Sequence, residues 1–166
     1  DAWPQALALD PLREAARVGL AAVALRSKEP RKALEWLKPL ETQGRGRAKT
    51  AQVIAAAYEG IQDEAAAKIW KERAATHEAR ERFLDEVSRI MLEEPESSWA
   101  QALRAYQFAM MGNWEEADAM LGSLPKKAEG DLKAIVEAIV SAVENKQPLP
   151  PIEQAPIKLP PPKAPS

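Results

Sequence analysis

The sequence predicts an all-α fold followed by an extended C-terminal tail, and three observations support this prediction. Ala, Leu, Glu, Lys and Arg dominate residues 1–146, which lack the runs of β-branched residues typical of strands. Apolar residues recur there in steps of three and four, which places them on one face of a helix. Eight of the fourteen Pro lie in residues 147–166, where they forbid an α-helix and favour extended polyproline II. We therefore divide the chain into a helical domain, 1–146, and a Pro-rich tail, 147–166.

Capping residues and helix breakers set the limits of eight predicted helices. Ser98 and Gln101 form a capping box at the start of one helix, and Asp131 can cap the last helix. The segment 63–94 contains neither Gly nor Pro, so one long helix and two shorter helices are both compatible with it. We favour two helices with a break near Thr76. The predicted helices span residues 11–27, 30–41, 47–60, 63–76, 78–94, 98–111, 114–123 and 131–144.

Composition excludes several classes of function. The chain has no Cys, which removes disulfide frameworks, thiol catalysis and Cys-based zinc sites. His77 is the single His, and we interpret it as a solvated histidine at a helix end. The sequence contains no phosphate-binding loop, GxSxG elbow or dinucleotide fingerprint. We therefore predict a protein that is not an enzyme and that needs no cofactor and no metal.

Charge and hydropathy limit the classes of partner that the chain is expected to bind and the cellular compartment in which it is expected to lie. The formal net charge is −2, which argues against a generic nucleic-acid binder. No apolar run approaches the ~20 residues that a membrane-spanning helix requires, so we predict no membrane span. The sequence begins at Asp1 without Met, which would fit a removed signal peptide, and the lack of Cys is compatible with an oxidising compartment. We expect the bacterial periplasm or cell envelope rather than the cytoplasm.

Three helix–turn–helix units share one spacing. Each has a turn residue, then Ala five residues later, then an aliphatic residue four residues further on. A turn glycine permits a tight turn, Ala lets two helices approach closely, and the aliphatic side chain fills the groove between them. The Ala residues of successive units are 32 and 52 residues apart. The three sets are Lys28, Ala33 and Leu37; Gly60, Ala65 and Ile69; and Gly112, Ala117 and Leu121.

The third unit resembles a tetratricopeptide repeat, because Ala105 and Phe108 occupy the small and aromatic sites of its first helix and Gly112 follows. The resemblance extends in degenerate form over most of residues 11–125, and Arg104 stands where the repeat has Leu. It implies antiparallel helix pairs stacked into a right-handed superhelix. It also implies that the first helix of each unit lines a concave groove that binds segments of partner proteins.

The resemblance assigns eight candidate partner-binding residues. Three- and four-residue steps place each set on one face of its helix, and Tyr, Trp and Met are residue types that anchor protein interfaces. The alternative is that these aromatic side chains simply fill the core between the helices. The second unit offers Arg47, Thr50, Ile54 and Tyr58, and the third offers Trp99, Ala102, Tyr106 and Met110.

Two interpretations of the tail remain open. A Pro-rich segment can be a flexible spacer, or it can be a docking strand, since polyproline II loses little entropy on binding. We favour docking on a partner, because a spacer does not need the four aliphatic residues Leu149, Ile152, Ile157 and Leu159.

These observations predict a non-catalytic module that binds protein partners in its groove, with the tail as a second docking element. Such a module would serve as a scaffold, an assembly factor or an accessory subunit of a larger complex. The alternative is a helical accessory domain cut from a larger enzyme or regulator. A third hypothesis is nucleic-acid binding through the first helix pair, since residues 26–49 carry eight basic and three acidic side chains. We expect protein partners and no nucleic acid.

Overall fold

A computed structural model describes residues 11–42, 47–124 and 128–161. All regular secondary structure in these ranges is helical, which confirms the predicted all-α class. The Gly44-Arg45-Gly46 loop and Pro125 lie outside the described residues. The helices are α1 (Pro11–Arg26), α2 (Pro30–Glu41), α3 (Ala48–Gly60), α4 (Glu64–Glu93), α5 (Ser98–Met110), α6 (Trp114–Leu121) and α7 (Gly130–Asn145), followed by a single 3-10 turn at Ile152–Gln154.

The predicted break near Thr76 is wrong, because α4 is one continuous helix of 30 residues. Ala, Glu, Lys and Arg occupy most of its positions, and all four are good helix formers. The Thr76 hydroxyl donates a hydrogen bond to the Glu72 carbonyl (3.0 Å). This bond lies within the helix, so the side chain does not draw the backbone out of it.

Two predicted caps are displaced. Ser97, not Ser98, caps α5, because its hydroxyl accepts the Ala100 amide hydrogen at 3.1 Å from an extended backbone conformation. The α7 helix begins at Gly130, one residue before Asp131, and Asp131 therefore lies in the first turn. A carboxylate in this position interacts favourably with the helix dipole without capping the helix.

The chain forms two compact units, unit 1 (Asp1–Glu81) and unit 2 (Arg82–Ser166). In unit 1, α1 packs on α2 and α3, and α2 packs on α3. The α3 helix can approach α2 closely because Gly60 has no side chain. A Cβ atom there would lie 2.6 Å from Pro30 Cβ. The buried core of unit 1 comprises Val18, Ala21, Ala24, Ala33, Leu37, Leu40, Ile54 and Ala57.

In unit 2, α5 packs on α6 and α7, and α6 packs on α7. Val87 and Ile90, from the second half of α4, belong to the same apolar cluster. The described part of the tail, residues 147–161, contributes Ile152 to this cluster. The largest fully buried side chains in unit 2 are Ile90, Leu103, Tyr106, Ile135 and Ile139.

Three turns have the same geometry, and they correct the predicted register of the repeat. At these three turns the residue with positive φ is Lys28 (61°), Gln62 (63°) or Gly112 (79°). In each turn, the amide of the next residue donates to a carbonyl five residues before it, at 2.9–3.0 Å. This pattern is the Schellman helix ending. The donor and acceptor pairs are Glu29 and Ala24, Asp63 and Tyr58, and Asn113 and Phe108.

The second turn therefore centres on Gln62 and not on Gly60, which is the last residue of α3. The equivalent small residues five positions after the turns are Ala33, Ala67 and Ala117, and all three are buried, whereas Ala65 is exposed. In this register the first two units are 34 residues apart, from Ala33 to Ala67, and Trp36 aligns with Trp70.

Candidate protein-interaction surfaces

The four residues predicted for partner binding in unit 1 do not form one open face. Arg47 is exposed at the start of α3, but Thr50 and Ile54 are buried. The Thr50 hydroxyl donates to the Glu14 carboxylate at 2.7 Å, which connects α3 to α1. Ile54 belongs to the unit 1 core. Partner binding by this set stays a prediction, and only part of the set is accessible in this conformation.

Tyr58, the fourth residue of the set, connects α3 to the end of α2. Its half-buried hydroxyl donates a hydrogen bond to the Glu41 carboxylate at 3.0 Å. Burial raises the pKa of Tyr58, and the hydrogen bond to the Glu41 carboxylate raises it further. The phenol therefore stays neutral and keeps its proton for this bond throughout the neutral range.

A cleft of about 600 Å³ opens in unit 1 beside this contact. The end of α2 forms one wall, the first turn of α3 forms another, and the middle of α4 forms the third. The cleft combines apolar, hydroxyl and charged groups. Its lining residues are Leu40, Glu41, Thr42, Thr50, Ala51, Ile69, Trp70, Glu72, Arg73, Thr76 and His77.

Trp70 and Arg73 form the most distinctive pair in the cleft. The Arg73 guanidinium carbon lies 4.5 Å from the centre of the Trp70 ring, which is a cation–π contact. The two residues are one helical turn apart, so the helix itself places them together. Sequence reasoning missed this pair. The i, i+3 spacing of Trp and Arg within the predicted helix 63–76 was the available signal, and it was not used.

His77 lies within α4 and not at a helix end, because α4 continues to Glu93. It is half-buried and lines the cleft with Thr76 and Arg73. Among the described residues, no group of three or more potential metal-binding side chains comes together. The cleft therefore presents hydrogen-bonding and apolar groups and no metal-ligand cluster in the described part of the chain.

The basic region around the first turn is interleaved with acidic residues. Lys28, Arg31 and Lys32 line a second cleft of about 670 Å³ together with Glu29 and Glu35. The Lys32 ammonium pairs with the Glu29 carboxylate at 3.1 Å. This mixture of signs lowers the local positive potential that phosphate binding requires.

In unit 2, the structure brings the two predicted contact sets together. Trp99 and Met110 on α5 are half-buried, whereas Ala102 and Tyr106 are fully buried. The Tyr106 hydroxyl donates a hydrogen bond to the Pro150 carbonyl in the tail at 3.0 Å. Burial raises the pKa of Tyr106, and the negative charge of Glu153 adds to this effect.

All four tail residues predicted to dock on a partner pack against the apolar cluster of unit 2. Ile152 is buried, and Leu149, Ile157 and Leu159 are half-buried. The chain turns into this path at Lys146, which has a left-handed backbone (φ 54°), and the Gln147 amide donates to the Ala142 carbonyl at 3.1 Å. The tail therefore lies on its own unit, against the cluster that contains Trp99, Ala102 and Tyr106.

Comparison with protein-family models, curated proteins and solved structures finds no match to this chain. In the described ranges, no helix has both the length and the apolar character needed to cross a bilayer. Functional assignment therefore depends on the geometry of the two surfaces described above.

Proposed function

We propose that this chain is a non-catalytic, tetratricopeptide-like module that binds a partner protein through the cleft of unit 1. It would act as a scaffold, an assembly factor or an accessory subunit of a larger complex. The observation that carries this proposal is the cleft itself, in which Trp70 and Arg73 are paired beside hydroxyl and carboxylate groups. Trp, Tyr and Arg are the residue types that most often dominate the binding energy of protein interfaces.

The repeated turns support a solenoid of this type. Three helix pairs share one hydrogen-bond pattern, and a buried Ala follows each turn at the same distance. The 34-residue interval between the first two units equals the length of a tetratricopeptide repeat. Stacked helix pairs of this kind bury one face of each helix and leave other faces free to contact partners.

The chemistry of the cleft favours a peptide segment over a uniformly charged ligand. The Glu41 and Glu72 carboxylates can accept hydrogen bonds from a ligand, Arg73 can donate them, and Leu40, Ile69 and Trp70 supply apolar surface. Ile69 is 51% exposed, so apolar area remains available for burial. A partner segment with alternating polar and apolar side chains can use all of these groups.

Trp70→Ala tests the proposal, with Trp36→Ala as the matched control. The two Trp occupy equivalent positions 34 residues apart, but only Trp70 is among the residues that line this cleft. Each variant and the wild-type chain are used as bait in native extract, and captured proteins are quantified by mass spectrometry. Affinity for the principal captured protein is then measured with purified components.

We expect Trp70→Ala to weaken that affinity by about 30-fold or more, since loss of an interface Trp removes roughly 2 kcal/mol or more. Trp36→Ala should change it less than twofold. Circular dichroism must show that both variants keep the helix content of the wild type. Equal loss of binding in both variants, or no loss in either, would show that the cleft does not bind the partner.

A further inference from the structure

The tail of this chain packs on unit 2 through the same kinds of contact that hold a bound peptide on a receptor. We propose that this face of unit 2 is an exchangeable site for extended, Pro-rich segments. The chain's own tail fills it in the isolated protein, and a segment of the same chemistry from a partner protein displaces the tail. This inference rests on the proposed function, because it names the partner class and the regulation of a second surface of the same module.

Two of the contacts that hold the tail resemble those of a bound ligand. The Tyr106 hydroxyl binds a backbone carbonyl, that of Pro150, and Ile152 enters the apolar cluster with 6% of its surface exposed. The hydrogen bond from Tyr106 to the Pro150 carbonyl recognises the backbone of the segment. The burial of Ile152, two residues later, selects an aliphatic side chain. Grooves lined by aromatic side chains are a recurring means of recognising Pro-rich segments.

The helices of unit 2 pack on one another without the tail as an intermediary. Direct contacts join α5 to α6, α5 to α7, and α6 to α7. Along the tail, Pro148, Pro151, Gln154, Pro156 and Lys158 are all exposed. Proline has no amide hydrogen, so such a segment cannot form a hydrogen-bonded ladder with its surroundings. These features describe an occupant that can leave while the helical body stays folded.

Departure of the tail would uncover a surface that needs an occupant. Ile152 is the single buried residue of the described tail, and Leu149, Ile157 and Leu159 cover further apolar area. A replacement must therefore carry an aliphatic residue two positions after a free carbonyl, form a 3-10 turn like that of Ile152–Gln154, and contain prolines that keep the flanking residues extended before it binds. The tethered tail competes at an effective concentration in the millimolar range, so only a strong or abundant segment displaces it.

The experiment uses the full chain and a fluorescent peptide with the sequence of residues 147–161. In the full-length Ile152→Asp variant, the introduced charge ejects the tail from the apolar cluster, and peptide binding is followed by anisotropy. The matched control is Leu92→Asp, which places the same charge on a residue of unit 2 that is 80% exposed. A peptide that carries the same I152D change serves as the negative ligand.

We expect the Ile152→Asp chain to bind the peptide at least tenfold more tightly than the wild type and Leu92→Asp do. Addition of Tyr106→Phe to the Ile152→Asp chain should weaken peptide binding about fivefold, which is the effect of one neutral hydrogen bond.

Two results would overturn the proposal. One is a folded Ile152→Asp chain that does not bind the peptide. The other is an Ile152→Asp chain without cooperative thermal unfolding, which would make the tail an obligatory part of the core. Neither result affects partner capture through Trp70 in unit 1, so the two proposals fail separately.

Discussion

Units 1 and 2 use the same helix–turn–helix geometry but differ in what covers their predicted contact surfaces. In unit 2, the tail packs on the cluster that contains Trp99, Ala102 and Tyr106. In unit 1, the cleft beside Thr50 and Trp70 holds no other segment of the described chain. A predicted binding residue can therefore be buried among helices alone or in a cluster that an extended segment joins. Ile54 belongs to the helical core of unit 1, whereas Tyr106 belongs to a cluster that also includes Ile152 of the tail, and its hydroxyl bonds to the Pro150 carbonyl.

This difference separates residues that build a surface from residues that a partner can reach. Thr50 is held by Glu14, and Tyr58 is held by Glu41, so both positions of unit 1 are fixed by bonds between helices. Such bonds fix the shape of the cleft before any partner arrives. A preformed cleft loses less conformational entropy on binding than a surface that must first be ordered.

The largest expected effect is on the two cores. Ile54 in unit 1 and Ile139 in unit 2 are both fully buried. Ile54→Ala and Ile139→Ala should each lower the free energy of unfolding by about 2–5 kcal/mol, because each leaves a cavity in a packed core. Urea denaturation followed by circular dichroism gives this value. A loss below 1 kcal/mol for Ile54→Ala would favour the interpretation of Ile54 as a surface contact.

A smaller effect distinguishes the two possible registers of the second turn. Gly60→Ala should destabilise unit 1 by about 1–3 kcal/mol, since its Cβ would lie 2.6 Å from Pro30 Cβ and the helices would have to move apart. Gln62→Gly should stabilise it by up to about 1 kcal/mol, because Gly adopts a φ of 63° without the strain of a side chain.

Thermal unfolding of both variants measures these changes, and Gly112→Ala provides the reference for a turn glycine. Gly112 has a φ of 79° with no clash below 3.7 Å, so its loss reports backbone strain alone. If Gly60 were the turn residue, Gln62 would not need a positive φ, and Gln62→Gly would not stabilise the chain.

Local signals predicted most of the helix limits. Pro30 begins α2 and Trp114 begins α6, as expected for a first-turn proline and for the residue after the Gly112-Asn113 turn. The register of the second unit was wrong because Gly60 was used to mark the turn, whereas the turns at Lys28 and Gly112 were predicted correctly. Two of the three turns place Lys28 or Gln62 in a conformation that glycine usually provides, and tertiary packing must then offset the strain.

The candidate sites were harder to predict than the helices, since they depend on contacts between distant segments. Thr50, a predicted contact residue, does line the cleft, but helical periodicity alone does not show that Trp70 and Arg73 lie beside the end of α2 and the start of α3. The tail residues were predicted as docking residues from their aliphatic side chains. Periodicity carries no information about which surface an extended segment contacts, so their place on unit 2 could not be derived.

The smallest expected effect is the alkaline response of the contact between Tyr106 and the tail. Burial raises the pKa of Tyr106 in the folded chain above its ordinary value of 10.0. The folded state therefore favours the neutral phenol more than the unfolded state does. The resulting stabilisation is fully present below pH 10 and is lost as the pH rises from 10 through the raised pKa.

Tyr106→Phe removes this titration, so the variant should lose less stability than the wild type between pH 9 and pH 11. Melting temperatures across this range measure the difference, and Tyr58→Phe is the matched control because the pKa of Tyr58 is also raised. Tyr106→Phe and Tyr58→Phe should differ in how protease cleavage of the tail depends on pH. We expect deprotonation of Tyr106 to release the tail, so protease cleavage within residues 147–161 should increase with pH in the wild type and in Tyr58→Phe. In Tyr106→Phe it should not depend on pH, and a parallel increase there would assign the release to another group.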